Sequence, residues 1–160
     1  MAQRLPLVIN AGQIEQLQSG DYLANNIDLP IVTNGESSTA LIAGMAVYET
    51  STANTAKRAQ ANASGTINPI GLMQSTSTPT GQTGSVQTEG VITLTTGEWD
   101  AVVTGESGGL TPGGAYFLDP ATPGNLTLTA PTTAGQYVQK LGTALSSTSF
   151  KISIEPSILL

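Results

Sequence analysis

The chain has 160 residues and a mass of 16.3 kDa, the length of one domain, and only 10% of its residues are charged. It contains no Cys and no His, which excludes disulfides, a Ser-His-Asp triad, a Cys-His pair and the usual zinc sites. Net charge is −6 with five basic residues, Arg4, Lys57, Arg58, Lys140 and Lys151, too few and too scattered for the clustered basic surface that nucleic acid requires.

No apolar run approaches the ~20 residues of a membrane span. The apolar patch near the start is broken by Asn10 and is shorter than a signal-peptide core. These features predict a protein made in a cytoplasm, not exported by its own signal, with neither nucleic acid nor membrane as partner. Ser and Thr together supply 37 residues, beside 18 Gly and 9 Pro. Hydroxyls therefore do the work that charges do elsewhere, the pattern of a loop-rich β protein.

In chain order, Leu5, Leu7, Val8 and Ile9 form a short apolar run with Pro6 inside it. A missing ladder donor makes this an extended edge segment. Ile14 and Leu17 suit one or two helical turns ended by Ser19 and Gly20. Residues 21–30 show no clear periodicity, and Asn34-Gly35 is a strong turn signal. The sequence thus divides into an N-terminal arm or docking segment, 1–34, and a β-rich domain, 35–160. Within the domain, strands are predicted near 41–49, 57–61, 69–74, 83–94, 115–119, 126–129, 136–144 and 149–155. Gly90 inside the fourth marks a bulge or close backbone approach. A helical turn is predicted at 96–103, capped by Thr95 or Thr96, with Glu98 and Asp100 in its first turn and Trp99 with Val102 or Val103 facing the core. Close-spaced short strands with Gly/Pro turns predict a mainly β fold: a small antiparallel β-barrel or sandwich-like domain with one short helical turn and an extended N-terminal arm.

Glu98 and Asp100 flank the single Trp. A carboxylate pair set ~5–9.5 Å apart across a sugar would be a glycosidase arrangement. Helix N-terminal acids beside a core or interface Trp is the plainer reading, because so few aromatics accompany them. A Ser-Lys dyad lacks a G-x-S-x-G elbow to hold it. The Gly-rich stretch 105–113 lacks the Lys of a phosphate loop and reads as a surface turn. Asn25, Asn26 and Asp28 carry oxygens but do not match an EF-hand loop. No catalytic, cofactor-binding or metal-ligating residues are assigned, and the chain is expected not to be an enzyme. The run Leu5, Leu7, Val8 and Ile9 has two readings: an ordinary first strand, or a segment that docks on a neighbouring subunit by strand addition. Ile158, Leu159 and Leu160 raise the same question, since an apolar terminus is tied down in a core or in an interface.

The segment running from Arg4-Leu5-Pro6-Leu7-Val8-Ile9 to Ser19-Gly20-Asp21 resembles N-terminal segments of tailed-bacteriophage virion proteins. A second succession starts at Ile70-Gly71-Leu72, passes through Gly84-Ser85-Val86-Gln87, Trp99-Asp100 and Gly109-Leu110-Thr111-Pro112, and closes on Gly142-Thr143-Ala144-Leu145 and Ile152-Ser153-Ile154-Glu155. It resembles a β-rich module of phage capsid decoration (cement) proteins and of tail or head fibre proteins. The resemblance covers most of the chain, least closely 34–68.

The resemblance implies a virion structural protein, without cofactors, made in the host bacterial cytoplasm and placed on the outer surface of the phage capsid. It would bind the mature head, bridge major capsid protein subunits and so stabilise the shell, with a homotrimer as its habit. Leu5, Leu7, Val8 and Ile9 would be the partner-binding residues of the arm. The alternatives are a tail, baseplate or head-fibre attachment module and, from another class, a carbohydrate-binding module.

Overall fold

A computed structural model describes residues 29–160, together with the strand pairing of residues 7–10 and 13–16. Those last two form an antiparallel hairpin, β1 (Leu7–Asn10) on β2 (Gln13–Gln16), with Leu7 opposite Gln16 and Asn10 opposite Gln13. The helical turns expected around Ile14 are therefore replaced by a strand. A ladder to Leu7–Asn10 outweighs the weak helical preference of a four-residue stretch, which lies far below the length at which a helix holds itself.

The main body begins at β3 (Ile31–Asn34), which runs parallel to β6 (Thr55–Arg58) and antiparallel to β9 (Thr83–Gln87). With β5 (Ala46–Glu49) and β7 (Gly71–Met73) these strands close a barrel in the order β3-β6-β5-β7-β9. The boundary at residue 34 is corrected accordingly. Val32 and Asn34 are buried in the barrel wall, and the Asn34-Gly35 turn lies inside the domain, not before it. A short ladder, β4 (Leu41–Ile42) with β8 (Ser77–Thr78), covers one end.

One strand was expected over 41–49, and two are found. Gly44 breaks it with a φ of +85°, a backbone conformation that favours glycine, and a Cβ there would lie 2.8 Å from Val102 Cγ2. The barrel thus makes a close approach to the second layer at Gly44. Likewise 83–94 divides at Gly90 (φ +81°) into β9 and β10 (Gly90–Thr93). The sequence expectation of a bulge or close approach there is met by a change of sheet.

The second layer is a six-stranded sheet in the order β10-β16-β15-β12-β13-β11. Its members are β10, β11 (Val103–Thr104), β12 (Ala115–Leu118), β13 (Leu126–Thr127), β15 (Lys140–Ala144) and β16 (Ser149–Ile152). Only β11–β13 is parallel within it. The helix α1 (Thr96–Asp100) joins β10 to β11, and β14 (Tyr137–Val138) pairs antiparallel with β17 (Ile158–Leu159).

A single core runs through both layers. Val47, Leu72, Met73 and Val86 from the barrel join Ile92, Trp99, Tyr116, Leu126, Leu141 and Phe150 from the sheet and helix. Phe150 sits between two aromatics, 5.7 Å from Trp99 and 5.8 Å from Tyr116, the latter edge-on at 81°. Backbone bonds stitch the layers together: Ala61 donates to Asp119 O, Gly124 to Ala59 O and Ala46 to Gly124 O.

Candidate interaction surface

The residues singled out for chemistry divide between structural duty and the undescribed segment. Thr95 caps α1. Its hydroxyl accepts from Glu98 N–H, and Glu98 Oε2 accepts in return from Thr95 N–H at 2.8 Å, a complete capping box. Hydrogen bonds from the Thr95 backbone and then from its side chain hold the Glu98 carboxyl below the usual range. Asp100 accepts from the N–H groups of Gly108 and Gly109 at 3.0 and 2.7 Å. Between them Trp99 is fully buried and donates its indole N–H to Thr148 O at 2.9 Å. The two carboxylates thus hold backbone, one at each end of α1.

The loop pinned by Asp100 is latched again further on. Glu106 accepts from Thr111 Oγ1 at 2.6 Å and from the Tyr116 hydroxyl, which itself accepts from Thr111 N–H at 2.8 Å. Burial, and next the bond to Glu106, push the Tyr116 phenol up to about 12. The Gly-rich stretch 105–113 is thereby a tied turn, as the sequence suggested.

The Lys57-Arg58 pair is no free cationic patch. The Arg58 guanidinium meets Glu36 Oε1 at 3.2 Å, and Arg58 N–H donates to the same oxygen at 2.9 Å. Burial works to raise the Glu36 pKa, but the Arg58 hydrogen bonds and charge outweigh it and hold the carboxyl below its ordinary value. Lys140 is likewise engaged, with Glu155 at 2.6 Å.

Among the described residues no pocket opens, and no group of three His, Cys, Asp or Glu side chains is placed to hold a metal ion. Asn25, Asn26 and Asp28 lie outside the described residues, as does Leu5. Leu7, Val8 and Ile9 are placed together on β1, opposite Gln16, Glu15 and Ile14.

What the surface does offer is exposed apolar side chains. Ile31, Val91, Leu128 and Leu145 are scattered over separate elements. Ile158, Leu159 and Leu160 are consecutive, and are 63%, 60% and 42% exposed. The sequence expected this run to be tied into a core or an interface. Its backbone is tied: Ile158 and Leu159 pair with Val138 and Tyr137, Leu160 N–H donates to Gln136 O, and Gly135 N–H donates to Leu160 O. Its side chains are left in water. A fixed strand with apolar side chains on its surface is the feature of this structure best suited to recognising another molecule.

No protein-family model matches the chain, and no curated protein matches it.

Proposed function

We propose that this chain is a virion structural protein, a capsid decoration protein that binds the outer surface of a mature phage head and bridges its major capsid protein subunits. The observation that carries the reading is the ordered, exposed apolar strand at residues 158–160. Burying those side chains on a neighbouring subunit would stabilise a complex without any chemistry. The resemblance of 70–155 to phage head and fibre modules supplies the setting. Few charges and a body tied together through backbone bonds suit a part that must endure on a shell.

In this reading the protein is no enzyme, acts as a homotrimer, and uses Leu5, Leu7, Val8 and Ile9 as a second point of attachment. Attachment at many repeated sites makes weak single contacts sufficient through avidity. A protein that binds only the expanded shell stabilises that shell by mass action.

The test is co-sedimentation of the purified protein with expanded and unexpanded heads that lack it. Saturable binding to expanded heads alone supports decoration. Absence from heads, with recovery on isolated tails, moves the assignment to a tail, baseplate or fibre module. Deleting residues 2–21 is expected to leave a folded body, read by circular dichroism, that binds heads more weakly. An unfolded product would place those residues in the core.

A further inference from the structure

β17 has three properties that belong together. First, it is an open edge. Leu160 N–H donates to Gln136 O, and β17 pairs antiparallel with β14 in the register Val138 opposite Ile158 and Tyr137 opposite Leu159. Bonded and non-bonded pairs alternate in such a ladder, so the N–H and C=O of Leu159 point away from β14. The far side of β14 is already taken, because Tyr137 N–H donates to Ala61 O at 2.9 Å. Among the described residues no bond reaches Leu159 from outside this ladder.

Second, the edge is unguarded. Sheets usually protect edges with charges, Pro or a covering group. The edge strand β10 shows such cover: Gln87 Nε2 donates to Val91 O at 3.0 Å and to Glu89 O at 3.1 Å. Along β17 the sequence Ser157-Ile158-Leu159-Leu160 holds no charge, and the nearest one before it, Glu155, is paired to Lys140.

Third, both faces are apolar. Side chains alternate along a strand, so Ile158 and Leu160 point to one face and Leu159 to the other, and all three are exposed. A flat surface, a membrane included, covers one face only. A strand added alongside, with side chains of its own above and below, covers both.

We infer that β17 is a docking strand, which takes the edge strand of another protein's β-sheet, apolar on both faces, alongside Leu159. The inference rests on the proposed assembly role for its setting and names how the neighbour is gripped. A second copy of this chain does not fit the edge as well. Three side chains of this size open on the order of 300 Å² of apolar surface, well below the roughly 800 Å² per partner of a stable pair. The contact is therefore one anchor within a larger or repeated attachment to a different protein.

The experiment uses the full chain and a fluorescein-labelled, lysine-flanked peptide with a Val-Ile-Val-Ile-Val core, and reads anisotropy. A Ser/Thr peptide of equal length is the control. Saturable binding of the apolar peptide, lost at least about tenfold in Leu159→Pro, is expected, since that change removes the outward N–H. The double variant Ile158→Ser/Leu160→Ser, which keeps the backbone donors, is expected to weaken binding as well. Unchanged Trp99 fluorescence establishes that each variant is folded. No saturation by ~1 mM protein, or equal binding by both folded variants, overturns the inference. So does a dimer in sedimentation velocity that Leu159→Pro dissociates, because the occupant is then a second copy.

Expanded heads separate this inference from the broader reading. If wild type and Leu159→Pro bind heads equally, the docking strand is refuted while decoration stands. If neither binds heads but the peptide result holds, decoration fails and the docking strand stands.

Discussion

Replacing Tyr116 by Phe deletes one oxygen and leaves a fully buried ring in place against Phe150. That oxygen accepts from Thr111 N–H at 2.8 Å and donates to Glu106. A neutral hydrogen bond contributes about 1 kcal/mol and a charge-assisted one about 1.5–3 kcal/mol. Glu106 is only half-buried, so water replaces part of the second bond. The expected loss is about 2 kcal/mol, or about 4–8 °C in Tm for a chain of this size.

Alkaline pH provides an independent measure of the same bonds. The Tyr116 pKa is raised from 10.0 to about 12. A raised folded value means that the stabilisation is fully present below pH 10 and is lost as pH climbs towards 12. Two units correspond to ~2.7 kcal/mol, and the hydroxyl's reach towards the surface discounts that to about 2 kcal/mol. Urea unfolding of wild type and Tyr116→Phe, followed by Trp99 fluorescence, is therefore expected to show a gap that closes between pH 10 and pH 12. A gap below about 0.5 kcal/mol at neutral pH, or one that persists unchanged through the alkaline window, refutes the latch.

Asn34→Ala should cost about 2–4 kcal/mol, because it strands the Thr39 and Thr78 carbonyls and the Glu36 N–H. The urea midpoint should fall with an unchanged m-value. Glu36 has a lowered pKa, so its contribution is present above the ordinary carboxyl value of 4.5 and lost as pH falls through the lowered one. Glu36→Gln should accordingly flatten the acid limb of stability against pH, and an unaltered acid limb would exclude the Arg58 pair as its source. Thr95→Ala should destabilise by about 1 kcal/mol, and Thr95→Gly by less, as expected for the loss of an N-cap. Equal losses would place the effect elsewhere than the cap.

What the sequence revealed and what it hid follow one physical division. Thr95, Glu98 and Trp99 announce their helix because capping is local: the donors and acceptors lie within three residues. The alternation of Phe150, Lys151 and Ile152 announces β16 for the same reason, since its period is local too. The barrel role of Ile31–Asn34 was hidden because its partners lie at Thr55–Arg58 and Thr83–Gln87, and no neighbouring residue encodes them. Asn34-Gly35 reads as a turn from either side of a domain boundary. Only the contacts from Asn34 Nδ2 to Thr39 O and Thr78 O show that it belongs inside. The two-residue strands β8, β11 and β17 are shorter than any periodicity can register. Ile158, Leu159 and Leu160 make the sharpest case, for as a sequence they are indistinguishable from a core strand. Their exposure follows from the ladder alone: β14 has its far edge closed by Ala61 and offers β17 a backbone partner but no covering layer. A run that is apolar on both faces, held in place and left uncovered, acquires its meaning from what surrounds it. For that reason the candidate site could be named from the sequence only as a question and becomes a docking strand only in the fold.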